Sequence, residues 1–145
     1  MRELPRQLTA EQLAELFEGH TRLVDELATV DDPLGRARDV ARALPATDKK
    51  AMLDAHPAIG ARAPSARSRA EQGTDDDPQV LAELAELNRA YEEKFGFRFV
   101  VFVNRRPRRE IVPILRARLK RSREEELATG VDELVQIAID RWRSS

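Results

Sequence analysis

Several residue types are absent or rare in this chain of 145 residues. There is no cysteine, which excludes disulfides, thiolate metal sites and a cysteine nucleophile. Only two histidines occur, His20 and His56, so a metal site built from several histidines is not expected. Aromatic residues make up only 5% of the chain. No run of about 18 consecutive apolar residues is present, so we predict no association with a membrane.

The residues that are abundant are typical of charged, amphipathic helices. Apolar residues make up 41% and charged residues 35% of the chain. The length suits one domain, residues 1–145, with a real hydrophobic core. The formal net charge of −1 argues against a nucleic-acid partner, because such proteins usually carry a clear basic excess. Neither a signal-peptide pattern nor a peroxisomal tripeptide is found, which favours a cytoplasmic location.

Apolar residues recur at helical spacing along most of the chain, which predicts an all-α fold of about seven or eight helices in one compact domain. Residues that cap a helix or open its first turn stand ahead of most of these segments. Two of the starts have the pattern of a capping box. The predicted starts are marked by Thr9 with Gln12, Pro33, Thr47 with Asp48, Pro78, Pro107, and Ser122 with Glu125.

Two stretches depart from the helical pattern. Residues 97–103 are aromatic and β-branched like a strand, but no second strand is predicted to pair with them. We therefore interpret them as a buried extended segment. Residues 57–78 are rich in proline, glycine and polar side chains, and a loop of this kind between regular helices is where functional groups tend to lie.

His56 is the first candidate for chemistry. It precedes Pro57, and the residue before a proline is disfavoured in the helical region, so His56 is predicted at a helix end in front of the polar loop. A histidine is the side chain best suited to move a proton near neutral pH. The alternative is a surface histidine that ends a helix.

Three polar residues of the loop form the second candidate. On a helical turn, Ser68, Glu71 and Gln72 share one face, where a hydroxyl, a carboxylate and an amide can orient a polar ligand or an imidazole. The alternative is that Ser68 caps a short helix and Glu71 completes its capping box.

Arginines supply the remaining candidates. Arg141 falls out of step with the apolar stripe of the last helix and could reach a buried anion; a surface salt bridge is the ordinary alternative. The basic run at residues 105–109 suggests nucleic-acid binding, but its aromatic neighbours look like core and acidic residues balance it elsewhere. We interpret this run as a solvated or ion-paired helix start.

Together these features resemble one family, the decarboxylases of 2-oxo-4-hydroxy-4-carboxy-5-ureidoimidazoline (OHCU). The resemblance extends over nearly the whole chain, and its most specific part is a long run ahead of the extended segment. The matching motifs are His56-Pro57-x-Ile59-Gly60, Ser68-x-x-Glu71-Gln72, Leu87-Asn88-x-x-Tyr91-x-x-Lys94-Phe95-Gly96-Phe97-x-Phe99-Val100, Glu110-Ile111 with Leu115 and Arg118-Leu119, and Ile137-Ala138-x-x-Arg141.

The resemblance implies an all-helical homodimer that converts OHCU to (S)-allantoin in urate degradation, with neither a metal nor an organic cofactor. Arg141 and Arg143 are both candidates for the catalytic arginine of the family, and Arg141 is preferred. The implied catalytic residues are His56, Glu71 and Arg141, and the implied substrate contacts are made by Pro57, Ser68, Gln72 and the main chain at Phe99, Val101 and Val103.

Two other functions are considered. The chain departs from the family pattern in a shorter loop before Glu71 and in the turn at residues 104–107, which leaves room for a related decarboxylase or hydrolase acting on another ureido compound. A non-catalytic helical interaction domain would explain the charged helices, and a flat surface around His56 would favour it.

Overall fold

A computed structural model describes residues 3–59 and 77–144, and within these ranges the chain forms seven helices and no strand. This confirms the predicted all-α class. None of the described helices is both long and apolar enough to cross a membrane. The helices are α1 (Ala10–Phe17), α2 (Arg22–Leu27), α3 (Pro33–Ala43), α4 (Ala46–Asp54), α5 (Pro78–Phe95), α6 (Arg108–Arg118) and α7 (Arg123–Ser144).

Both predicted capping boxes are present. The Thr9 hydroxyl accepts a 3.1 Å hydrogen bond from the backbone N–H of Gln12, whose side chain accepts one of 2.9 Å from the N–H of Thr9. Ser122 and Glu125 exchange the same two bonds, each 3.1 Å long, ahead of α7. These local bonds satisfy N–H groups that have no partner within the helix, so they fix where the helix begins.

The predicted cap of α4 is wrong. Pro45 occupies the cap position, and Thr47 and Asp48 lie inside the first turn. The ring of Pro45 fixes φ near the helical value, and no side-chain hydrogen bond caps this helix. Asp48 instead accepts a 3.0 Å bond from Arg22, and its charge is favourable near a helix N-terminus.

The last helix is the centre of the packing. α7 packs against α1, α3 and α4, while α5 packs against α6. Gly130 of α7 allows the close approach of α4, because a Cβ built at this position would lie 2.9 Å from Cδ2 of Leu53. This contact holds the end of α4, and therefore His56, against the side of α7.

The extended segment is confirmed, and side chains from the helices take the place of a partner strand. The backbone N–H of Arg98 donates to Oδ1 of Asp54 (3.0 Å), and that of Phe102 donates to Oε1 of Glu133 (3.2 Å). These two acceptors belong to α4 and α7. The segment is therefore bound near both ends, to α4, which leads to His56, and to α7, which carries Arg141.

Three carbonyl groups of the segment are bound by arginine side chains. Nη1 of Arg118 donates to the carbonyl of Val100 (2.8 Å). Arg106 donates from Nη2 to the carbonyl of Phe102 (2.7 Å) and from Nε to that of Val103 (2.9 Å). Because successive residues of an extended chain point to opposite sides, the even-numbered residues turn their backbone groups toward these side chains. Phe99 and Val101, which lie between them, turn their backbone groups the other way.

Candidate active site

A pocket of about 460 Å³, its open mouth included, lies where the end of α4, the extended segment and the last turns of α7 meet. Among the residues that the structure describes, its wall is mostly apolar and includes one histidine and one arginine. The lining residues are His56, Pro57, Ile59, Phe99, Val100, Val101, Phe102, Val103, Ile137 and Arg141.

His56 reaches the pocket because α4 ends just before it. The helix stops at Asp54, and the N–H of His56 closes a last turn on the carbonyl of Leu53 (3.2 Å). Pro57 then prevents the helix from continuing, as predicted. His56 is 4% exposed, so it is not the surface histidine of the alternative interpretation.

Burial makes His56 a neutral imidazole at physiological pH. Desolvation, together with the positive charge of Arg141 and, more weakly, that of Arg98, lowers the pKa of His56 to about 4, while Glu18 acts in the opposite direction. Among the described residues, Nε2 of His56 has no hydrogen-bond partner. An unsatisfied polar atom in a pocket wall is a group to which a ligand can bind.

Arg141 faces the same pocket from α7. The guanidinium is buried, its side chain being 2% exposed. Nη2 lies 3.0 Å from Oε1 of Glu18, and Nη1 donates to the carbonyl of Leu16 (3.0 Å). Arg143 is exposed and lies outside the lining, so of these two candidates Arg141 is the one that lines the pocket.

The extended segment offers the pocket a row of backbone groups. Within the described ranges, the N–H groups of Phe99, Val101 and Val103 form no hydrogen bond, and neither does the carbonyl of Val101. These residues line the pocket, on the side opposite to the bonds made by Arg98 and Phe102. A planar ligand rich in amide-like groups can pair with such an edge.

Sequence reasoning missed a buried polar cluster behind this segment. Oε1 of Glu126, a fully buried residue, accepts bonds from the Tyr91 hydroxyl (2.6 Å) and from Nε of Arg118 (2.7 Å). Arg118 also lies over the ring of Phe99, 4.5 Å from its centroid. Burial and the carboxylate of Glu126 raise the pKa of Tyr91. The cluster supports the back of the segment whose front lines the pocket.

Six of the nine predicted site residues therefore meet in one place. Ser68, Glu71 and Gln72 lie outside the described residues. His20 is exposed and does not line the pocket. The residues that come together are His56, Pro57, Phe99, Val101, Val103 and Arg141.

Part of the basic run at residues 105–109 makes contacts within the fold. Arg106 uses its side chain on the carbonyl groups of Phe102 and Val103, and Arg108 is 9% exposed. His56 lies in a pocket and not on a flat surface, so its surroundings do not favour a non-catalytic interaction domain. Within residues 3–59 and 77–144, no group of three or more carboxylate or imidazole side chains is placed to hold a metal ion.

Comparison with known proteins identifies the family. The OHCU decarboxylase family profile matches residues 2–143. The uric acid degradation bifunctional protein PucL of Bacillus subtilis (strain 168) is 27% identical over 95% of this chain, which spans 30% of that longer protein. The 2-oxo-4-hydroxy-4-carboxy-5-ureidoimidazoline decarboxylase of Xenopus laevis is 27% identical over 76% of this chain and 68% of its own length.

A solved structure supports the same assignment. A crystal structure of OHCU decarboxylase in the presence of (S)-allantoin superposes with a TM-score of 0.75 at 28% sequence identity, covering 90% of this chain and 94% of that one. The profile match and the superposition both extend over nearly the whole chain. The chain belongs to the OHCU decarboxylase family.

Proposed function

We propose that this protein decarboxylates OHCU to (S)-allantoin, the reaction for which its family is named. One observation supports the proposal most strongly. A neutral, buried His56, with an unsatisfied Nε2, shares a small pocket with the buried guanidinium of Arg141. This is a proton acceptor beside an anion-binding group, which is what the reaction of a carboxylate on a hydroxyl-bearing carbon requires.

The substrate itself supplies the electron sink. Its ring carbon C4 carries a hydroxyl and a carboxylate, and the neighbouring C5 is doubly bonded to a ring nitrogen. When the C4–carboxylate bond breaks, CO2 leaves and the electron pair forms a C4=C5 bond, while the ring nitrogen takes a proton. For this reason we propose that neither a metal nor an organic cofactor takes part. Dialysis against a chelator should leave the rate unchanged.

His56 then completes the proton transfer. Nε2 accepts the proton of the C4 hydroxyl as the C4=O bond forms, and the same proton is returned to C5 on one face. One proton is consumed from solution overall, by the ring nitrogen, which balances the loss of CO2 from a carboxylate. A base with a pKa of about 4 is in its accepting form at neutral pH, so no prior deprotonation is needed.

Arg141 and the extended segment would hold the substrate for this step. The fork of donors on Arg141 suits a carboxylate or a carbonyl oxygen. The free backbone groups of Phe99, Val101 and Val103 suit the ring and ureido amides. We assign Ser68, Glu71 and Gln72 to the remaining polar contacts of the substrate, with Glu71 also orienting His56. Such fixed placement permits the carboxylate to be turned out of the ring plane.

The product's handedness provides the test. OHCU is generated in place from urate with urate oxidase and 5-hydroxyisourate hydrolase, and circular dichroism is followed after this protein is added. Because OHCU also decays without a catalyst to racemic allantoin, a rapid signal of one sign supports the proposal. Racemic product at the uncatalysed rate, from folded protein, would refute it and direct the search to other ureido acids.

The assembly and location of the protein are part of the same proposal. The family resemblance leads us to propose a homodimer that acts on a small molecule. The sequence features described above lead us to propose that it lies in the cytoplasm and does not bind nucleic acid. Light scattering after size exclusion should give twice the mass of the 145-residue chain, and a monomer mass at micromolar concentration would refute the dimer. Cell fractionation tests the location.

A further inference from the structure

Glu18 ends α1 in a conformation that most residues avoid. Its backbone lies in the left-handed region, with φ 65° and ψ 27°, and its N–H closes the last turn on the carbonyl of Ala14. A left-handed backbone is unfavourable for a residue with a side chain, and glycine or asparagine is usual at this place. Such a conformation persists where the surroundings hold it, often beside a functional site.

The carboxylate of Glu18 points from this helix end to the pocket arginine. It is largely buried, with its side chain 16% exposed, and its Oε1 lies 3.0 Å from Nη2 of Arg141. Two residues earlier, the carbonyl of Leu16 accepts a hydrogen bond from Nη1 of the same guanidinium (3.0 Å). The end of α1 therefore holds both terminal nitrogens of Arg141, which fixes the plane and the rotation of the group.

The contact between Glu18 and Arg141 also affects the charges around His56. Arg141 is buried in a mostly apolar wall, where a lone positive charge is strongly disfavoured. Among the described residues, the charged side chains that act on His56 are Glu18 at the end of α1, Arg141 from α7 and Arg98 from the extended segment. Because Glu18 pairs with Arg141, His56 has a negative charge near it as well as a positive one. The ion pair also keeps the guanidinium in the wall of the pocket.

We infer that Glu18 is a positioning residue, which holds the Arg141 guanidinium in the orientation that the pocket needs to bind an anionic or carbonyl oxygen. This inference rests on the proposed decarboxylation and deepens it. Glu18 does not line the pocket, so it acts on the substrate through Arg141. The sequence conceals this role, because Glu18 ends a helix before Gly19 and resembles an ordinary exposed acid there.

The test is a double-substitution cycle measured on kcat/KM. Glu18→Gln keeps the shape of the side chain and removes its charge, and it should lower kcat/KM by about 10- to 100-fold in wild-type background, since a small misplacement of a binding group has effects of this order. Glu18→Asp keeps the charge and should recover part of the loss. The matched control Glu15→Gln, an exposed acid on the same helix, should leave kcat/KM unchanged.

The Arg141→Lys background separates a positioning role from a merely structural one. If Glu18 acts by orienting the guanidinium, Glu18→Gln should reduce kcat/KM by less than about 2-fold once Arg141 is lysine, because lysine has no planar fork of donors to orient. An equal loss in both backgrounds would overturn the inference, and so would full activity of Glu18→Gln. If Glu18→Gln does not fold, the same cycle with Glu18→Asp decides between these outcomes.

A second readout separates this inference from the proposed reaction. The chain has only two histidines, so the ring signals of His56 can be assigned by comparison with a His20→Asn variant. Glu18→Gln should shift the His56 signals, while Glu15→Gln should not. Unchanged His56 signals would overturn the inference even if the decarboxylation is established. A clear shift in a protein that makes no (S)-allantoin would leave the contact intact and refute the substrate.

Discussion

The carbonyl oxygen of His56 accepts a 2.7 Å hydrogen bond from Nη1 of Arg98, so one side chain joins two walls of the pocket. The backbone N–H of the same arginine donates to Asp54, and its Nε donates to Glu92 (3.1 Å). Arg98 therefore fixes the end of α4, the side of α5 and the start of the extended segment in one arrangement.

Replacing Arg98 by alanine should loosen this arrangement. We expect the free energy of unfolding to fall by about 1–2 kcal/mol, because two charge-assisted hydrogen bonds of a partly exposed side chain are lost. We also expect kcat to fall, since His56 loses the bond that holds its main chain. Urea unfolding and steady-state kinetics measure the two effects. Arg89→Ala, which removes an exposed pair with Glu86, is the matched control and should change stability by less than about 0.5 kcal/mol. Equal results for both variants would contradict the role of Arg98.

The lowered pKa of His56 predicts a loss of stability in mild acid. The unfolded chain binds a proton at this histidine below about pH 6.5, whereas the folded protein binds it only near pH 4. The contribution of neutral His56 to the free energy of unfolding is therefore fully present above pH 6.5. It is lost as the pH drops toward 4, and the loss amounts to about 3 kcal/mol in all. Urea unfolding at pH 7 and pH 5 samples about 2 kcal/mol of this difference.

Two histidine variants isolate that contribution. In His56→Asn the loss of stability between pH 7 and pH 5 should be smaller by about 2 kcal/mol, since the carboxylate contributions are common to both proteins. In His20→Asn, which changes an exposed histidine, the dependence on pH should match the wild type. If His56→Asn and wild type lose stability in parallel, His56 is not a buried neutral imidazole.

The cluster behind the extended segment predicts two unequal losses. Glu126→Gln leaves the buried charge of Arg118 without its carboxylate and should cost about 3–5 kcal/mol. Tyr91→Phe removes one donor but leaves that ion pair in place, so about 1–2 kcal/mol is expected. Chemical denaturation measures both, with Glu124→Gln as an exposed control in the same turn of α7. The account of the cluster fails if Tyr91→Phe proves the more damaging change.

The parts of the fold and site that rest on local rules were predictable from the sequence. The caps at Thr9 and Ser122 follow from side chains three residues apart. His56 could be placed at a helix end because a proline follows it, and residues 97–103 could be read as extended because of their side-chain types. None of these inferences requires knowledge of distant contacts.

The parts that depend on tertiary contacts were not predictable in the same way. Arg141 and Arg143 are two residues apart, and only the packing of α7 shows which one is buried at the pocket. Glu126 stands in the first turn of a helix, where an acid is expected on the surface, yet Tyr91 and Arg118 bury it. The left-handed backbone of Glu18 likewise depends on what surrounds it, so neither residue carries a signal in the sequence.

The most direct test of the central claim compares the two histidine variants in the coupled urate assay. His56→Asn should lower kcat/KM by about 10²–10⁴-fold, the usual contribution of a general acid–base group, and the remaining allantoin should approach a racemic mixture. His20→Asn should keep the wild-type rate and the single-handed product. A folded His56→Asn protein that still forms (S)-allantoin at nearly the wild-type rate would contradict the assignment of His56 as the group that moves the proton.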